Sequence, residues 1–379
     1  MKRAFLGLKS SMGALLAGAL LWSGNAHASV ADLKAEAAKQ PTSAEAGLAL
    51  SVKLRRAGLM QEALSTVNKS MGKASDANDT NRLLLERARI DIDRGRMKPA
   101  MADCEKLRKA DEVLLHICVA ETYLLYRRGS LALPEAESAL KLKNGDYDAT
   151  LAKGRALWIS GDAGSAKTIL NNLVTQVPDR QEAIPHLAEL LIGTTASSEA
   201  IVVLKHGLQV APDDAVMRVM LAGLMPPSQE SAQLLQEATT LRVDYEQAYA
   251  QLGAVLLSLG KLDDAEHALR SALKLNPKDA DALASWARVF LLRSDFNGAL
   301  AQARAALKLM PQNGAAKLVE AQALAGQGEI DLAIEEFQAA YGLQRRNPDV
   351  LVQATEACLK HGRPTTAMAF AERATSDFP

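Results

Sequence analysis

Aromatic residues are scarce: Phe, Trp and Tyr together supply 4% of the 379 residues. A compact globule of this length leans on such rings for core volume, whereas thin stacked helices can be packed with Ala and Leu, both abundant here. Charge of either sign is not in excess, 44 Lys+Arg standing against 44 Asp+Glu. That balance argues against nucleic acid as a partner and against an anionic membrane surface, since both draw on surplus positive charge. Long apolar runs are missing too, so no stable membrane insertion is expected of a chain that would need roughly 20 apolar residues per span. Cysteine is limited to three residues without CxxC spacing, which removes support for thioredoxin-like chemistry and for a zinc ribbon. What remains is 48% hydrophobic and 23% charged, the composition of a folded protein. Length alone suggests two or three domains, a prior that fails if the chain repeats itself.

The first residues read as an address. Lys2 and Arg3 give a positive start, residues 13–22 (GALLAGALLW) are apolar, and Ala26-His27-Ala28 places small residues before Ser29. This is the layout of a secretory signal peptide over 1–28, followed by an N-terminal segment over 29–43. No Cys stands at the cleavage position, which argues against a lipid anchor; an uncleaved N-terminal anchor is the alternative.

An exported chain meets oxidising conditions. Cys104 and Cys118 flank a turn expected near Ala110-Asp111 at similar distances, so two antiparallel helices bring them to one height. They form either a disulfide across that hairpin or two buried thiols, because facing helices often hold their Cα atoms too far apart. Cys358 is left over for the core.

A period of 34 residues organises the rest, with units beginning at Glu246, Ala280, Gly314 and Pro348. Their fifteenth positions are Gly260, Ser294, Gly328 and Gly362, their twentieth Ala265, Ala299, Ala333 and Ala367, and their twenty-seventh Ala272, Ala306, Ala340 and Ala374. The thirty-second reads Pro277, Pro311, Arg345 and Pro379, the third unit alone departing, with Pro348 three residues late. Gly at the fifteenth position ends a helix through positive φ, Ala permits a close helix crossing, and Pro stops the second helix. Apolar residues between these marks recur at helical spacing, so each unit is a helix-turn-helix.

These columns resemble the tetratricopeptide repeat, best at Tyr249, Leu252-Gly253, Leu256, Ala265, Leu269, Ala272 and Pro277, with Phe290 and Phe337 in the aromatic columns of the next units. Further units are placed from Tyr147 and Gln181, and weaker ones from Val113, Asn81 and Ala44. The resemblance implies an all-α, right-handed superhelical solenoid of about ten repeats. A first array over 44–225 and a second over 246–379 flank a shortened unit at 226–245, where Pro226-Pro227 either bends the chain or is absorbed locally. Met368 or Phe370 of the last unit is expected to be partly exposed and to offer a docking end.

Chemistry is thin. GDAGSAKT over 161–168 is one residue short of a phosphate-binding loop, yet Gly161 and Ala166 are the repeat's own turn and crossing residues. The histidines form no metal pattern, the SxxK matches at Ser138–Lys141 and Ser271–Lys274 share one repeat position, and Asp91-Ile-Asp93 lacks the other ligands of a calcium loop. No cofactor or metal is expected.

In the family the first helices line the concave face. Register then puts Leu114, Ile117, Leu124, Leu125, Leu151, Trp158 and Ile159 into the groove of the first array, and Leu257, Leu291, Leu292, Leu318 and Leu359 into that of the second. Such a strip suits a peptide or helix ligand, unless curvature buries part of it. The ninth positions alternate as Arg89, Glu121, Arg155 and Glu189, then Arg288, Gln322 and Glu356. They form either a self-neutralised ladder or a recognition strip for a partner of alternating charge. The Asn residues of the subset that grips acidic C-terminal tails are absent. The resemblance therefore implies a non-enzymatic scaffold, exported to the periplasm, whose partners are proteins of an envelope machine such as a pilus, a secretion or polysaccharide-export system, or a motility complex. The alternative is a carbohydrate-handling solenoid using Trp158, Trp286 and Tyr249 as stacking platforms.

Overall fold

The computed structural model describes residue 35 and residues 43–378 apart from 179, 345 and 346. The signal peptide expected over 1–28 and the column residues Arg345 and Pro379 lie outside the described residues. Among the described residues there are twenty α-helices, one 3-10 turn and no strand. They pair as α1 (Ala44–Arg56) with α2 (Met60–Met71), α3 (Ala77–Asp93) with α4 (Met97–Lys106), α5 (Glu112–Leu125) with α6 (Gly129–Leu142), α7 (Tyr147–Ile159) with α8 (Ala163–Gln176), and α9 (Ala183–Gly193) with α10 (Ser197–Val210). Next come α11 (Ala215–Gly223) and α12 (Gln229–Leu241), separated by the loop that holds Pro226-Pro227. The pairs α13 (Glu246–Ser258) with α14 (Leu262–Leu275), α15 (Ala280–Leu292) with α16 (Phe296–Leu309), α17 (Gly314–Gly326) with α18 (Ile330–Leu343), and α19 (Asp349–Lys360) with α20 (Pro364–Asp377) complete the chain.

The helices fall into two compact units, one ending at Leu224 and taking in Leu241–Val243, the other built from Met225–Thr240 and Asp244–Pro379. Within each unit the first helices of successive repeats approach one another, as in α3 with α5 and α15 with α17. Successive second helices do not come as close, so each unit curves toward the side of its first helices.

The sequence columns do the work assigned to them. Ala63, Ala100, Ala132, Ala166, Ala200, Ala265, Ala299 and Ala333, one per repeat at the crossing, are wholly buried. At Gly253 a Cβ would stand 2.5 Å from Leu269 Cγ, so α13 and α14 touch only because that side chain is missing. The fifteenth position takes positive φ whatever residue fills it: Gly161 has φ 96° and Gly260 73°, but Arg127 (52°), Thr195 (62°) and Ser294 (61°) adopt the same left-handed turn. A second punctuation mark is acidic. Asp111, Asp146, Asp162, Asp214, Asp279 and Asp295 each cap the following helix by accepting a backbone N–H with a side-chain oxygen.

One boundary needs correction. The second repeat begins at Ala77 rather than Asn81, because Asp76 caps the 17-residue α3 a full turn earlier. Of the two candidates for exposure in the last unit, Met368, at 63%, is the exposed one, while Phe370, at 5%, is packed in the core of its unit. The shortened unit keeps both helices and loses length from the first, α11 having nine residues. Cys104 on α4 and Cys118 on α5 are joined as a disulfide with Cα atoms 5.5 Å apart, so the link staples one repeat to the next. Cys358 is a buried free thiol on α19.

Candidate functional site

The curved face of the first unit is lined by long charged side chains. From the end of α1, Arg55 donates to Glu86 (2.8 Å) and to Asp93 (2.9 Å), both on α3. Arg89 on α3 donates twice to Glu121 on α5, Nε at 2.9 Å and Nη2 at 2.6 Å, and stands 3.6 Å from Asp148 on α7. Arg180, in the loop before α9, donates to Asp148 at 2.6 Å and stacks its guanidinium 3.7 Å from the Tyr147 ring centre. Burial alone would raise the Glu121 carboxyl, but Arg89 holds it below the usual carboxylate range. Two contacts close this face from its ends: Lys53 pairs with Asp213, and Arg56 reaches Glu182 at 3.3 Å.

Arg155 on α7 differs from its neighbours in forming no hydrogen bond or ion pair among the described residues. Burial pulls its pKa below the usual guanidinium value despite the attraction of Glu121 and Glu189, although a guanidinium remains charged. It lines a pocket of about 330 Å³ whose apolar wall is Leu124, Leu125, Trp158, Ile159 and Leu170 and whose polar rim is Arg127, Arg155, His186 and Glu189. Trp158 packs so closely on α9 that a Cβ at Gly193 would lie 2.6 Å from its ring, and its buried Nε1 has no hydrogen-bond partner. His186 Nδ1 stands 3.8 Å from Glu189. Burial, reinforced by Arg155, pushes the His186 pKa down to about 4, so the ring is neutral near pH 7.

The structure thus brings together Arg89, Glu121, Arg155, Trp158 and Glu189 of the expected groove. Several apolar expectations are corrected. Ile117 (1% exposed) packs against Ala139 of its own repeat and Ala149 of the next, and Leu124 (3%) offers the pocket only an edge of a buried side chain. Leu151 and Leu257 are buried as well, whereas Leu125, Leu292 and Leu359 are exposed and Leu291 is half-buried against the core. The charge ladder is corrected too. Its one hydrogen-bonded rung is Arg89 with Glu121; in the second unit Gln322 bonds Gln353, while Arg288 and Glu356 are exposed and form no ion pair among the described residues. Asp148 and Glu182, each second in its repeat, sat in a groove register, but Arg180 lies in a loop with no helical register to reveal it.

The motif-like stretches are absorbed by the repeat. Asp162 caps α8 at the would-be phosphate loop, Ser138 and Ser271 bond back to Pro134 and His267, and Asp91 pairs with Arg96. Among the described residues no group of three or more His, Cys, Asp or Glu is placed to hold a metal, and no helix is long and apolar enough to cross a membrane. Trp286 sits edge-on to Phe290 with Arg270 5.3 Å over its ring, in the other unit from Trp158.

Paired helices with close first-helix stacking and Ala crossings define an α-helical repeat protein. Residues 246–279, and then 285–349 and 318–379, match family models of the tetratricopeptide repeat. The chain carries tetratricopeptide repeats in this region. Human protein O-mannosyl-transferase TMTC3 is 31% identical over 108 residues, which cover 25% of this chain and 12% of that protein. The chain thus spans about an eighth of that relative's length. Among solved structures the APC/C hetero-tetramer Cut9-Hcn1 is similar in fold, with a TM-score of 0.62 at 18% identity over 89% of this chain and 70% of the matched one. MamA is 22% identical over 41% of this chain and 93% of its own, with a TM-score of 0.38. Repeat family and fold together support a protein-interaction scaffold.

Proposed function

We propose that this chain is an exported, non-enzymatic scaffold of the bacterial envelope that holds partner proteins during assembly of an envelope machine, such as a pilus, secretion channel, polysaccharide exporter or motility complex. The carrying observation is the first unit's curved face. There a half-buried cation and an apolar-walled pocket stand ready for a ligand. Export is supported by the leader-like pattern over 1–28 and by the Cys104–Cys118 disulfide, a bond that persists in oxidising compartments.

The test is crosslinking and pull-down from periplasmic extracts, comparing the intact protein with Trp158→Ala and Leu291→Glu. Loss of the same defined envelope proteins with either variant supports groove binding. Recovery of the chain from the cytoplasm with its leader intact would remove the envelope role.

A further inference from the structure

Three features of the pocket between α5, α7 and α9 point to the chemistry of its occupant. The first is charge. Its rim carries two guanidiniums, Arg127 and Arg155, against the single carboxylate of Glu189, and His186 adds no charge near neutral pH. Glu121, which also attracts Arg155, accepts its hydrogen bonds from both nitrogens of Arg89. Glu189 stands nearer the other rim groups, 3.7 Å from Arg127 and 3.8 Å from His186. Arg155 is therefore half-buried on the rim without a hydrogen-bonded partner, an arrangement that an anionic ligand would complete.

The second feature is the turn. Arg127 occupies the left-handed turn position at φ 52°, which other repeats fill with Gly or, at Thr195 and Ser294, with a short polar side chain. Here that position carries a long cationic side chain on the pocket rim.

The third is shape. The pocket volume, about 330 Å³, accommodates an acidic side chain together with an apolar neighbour, and the walls beyond the rim are aliphatic and indole surface. A free phosphate, which a guanidinium fork also binds, would leave those walls uncovered.

We infer that this pocket takes the carboxylate of an internal Asp or Glu of a partner protein, gripped by the Arg155 fork, while an apolar residue next to it in the partner packs on Leu125 and Trp158. This deepens the scaffold reading and rests on it, naming the chemistry that the curved face recognises. The carboxylate gains charge-assisted, two-bond geometry of the kind Arg89 already makes with Glu121.

The test pans the full chain against random dodecapeptides displayed with their C-termini fused, so that no free terminal carboxylate is offered. Enrichment of Asp or Glu beside Leu, Ile, Phe or Trp is expected. An amidated synthetic copy of an enriched peptide should lose about tenfold in affinity when its acidic residue is changed to the amide. Against Arg155→Gln the acid and amide peptides should bind alike. Arg155→Lys, which keeps the charge and loses the fork, should shrink the acid preference without abolishing it, and it carries the test if the Gln variant fails to fold.

Enriched peptides without an acidic position overturn this inference while leaving the scaffold reading in place. So does an acid preference that survives undiminished in both variants. Displacement of the peptide by millimolar inorganic phosphate, or binding that requires a free C-terminus, would assign the pocket to a different ligand. An absence of any enrichment also counts against the inference, and the scaffold reading is then judged by the crosslinking experiment alone.

Discussion

Arg89 and Glu121 sit one repeat apart and meet through two hydrogen bonds, while Arg155, on the next first helix, feels the attraction of the same carboxylate but forms no bond to it. Each oxygen of Glu121 accepts from one nitrogen of the Arg89 fork, the two-bond geometry that favours Arg89 over a cation held further away.

Arg89→Gln should release Glu121 to Arg155. Thermal unfolding is expected to show a loss of about 1–2 kcal/mol rather than the larger cost of orphaning a buried carboxylate, because Arg155 takes over the vacated oxygens. Adding Arg155→Gln should then cost more than it does in the parent chain. Strict additivity in the double-mutant cycle would show that the two arginines do not share Glu121.

Removing the link between α4 and α5 has a calculable effect. The disulfide joins residues 14 apart, and loop closure of that length in the unfolded chain corresponds to about 3 kcal/mol. Cys104→Ala with Cys118→Ala should lower the denaturation midpoint accordingly, and a reductant should do the same to the parent but leave the double variant unchanged. An identical midpoint with and without reductant in the parent would mean that the thiols are not joined in solution.

The pH dependence carries a signature of His186. Its folded pKa is depressed to about 4 from an ordinary value of 6.5, chiefly by burial, so the unfolded chain binds a proton that the folded chain refuses. Its neutral contribution is whole above pH 6.5 and is lost as pH falls from there to 4. Each pKa unit corresponds to about 1.4 kcal/mol, and because part of the ring meets solvent the loss should be on the order of 1–2 kcal/mol. His186→Gln should flatten that part of the profile. The carboxylates Glu121 and Asp103, held low by Arg89 and Arg87 against burial, add their own losses at more acid pH in both proteins. A His186 resonance titrating near 6.5 in the folded protein would refute the assignment.

Turn positions offer a matched pair of substitutions. Thr195 adopts φ 62° where Gly260 adopts 73°, and at Gly260 an added Cβ meets nothing within 4 Å, so only backbone strain is at stake. Thr195→Gly should raise stability by about 0.5–1 kcal/mol, the relief being offset in part by a more flexible unfolded chain, and Gly260→Ala should lower it by about 1 kcal/mol. Equal melting curves for all three proteins would contradict the strain argument.

Much of the fold was legible because its determinants are local. A left-handed turn needs Gly, a close crossing needs Ala, and both recur at a fixed interval, so the start of α17 at Gly314 or of α15 at Ala280 follows from counting. Counting failed at Asn81, where the capping oxygen of Asp76 lengthened a helix that the period alone would have made shorter. In the groove, register identified the faces of Arg89, Glu121, Arg155 and Trp158. It misplaced Ile117 because that residue packs into the seam between the second helix of its own repeat and the first helix of the next. Pairing was beyond reach, since whether Arg155 or Arg89 claims Glu121 depends on fork geometry across two helices. Arg180 was invisible for a different reason: a loop residue has no periodicity to betray where it points.

The contacts of Lys53 with Asp213 and of Arg56 with Glu182 join positions 160 and 126 residues apart in a protein otherwise made of neighbours. A row of repeats ordinarily unzips one link at a time, and its folding requires only short loops to close. A clasp between the first helix and the far end of the same unit turns that row into a loop with an entropic cost of its own. It should be the last part of the unit to form and the first to let go. Amide exchange would then rise together at α1 and around Asp213 under conditions that leave the middle repeats protected, and whatever enters the curved face would pass through that opening.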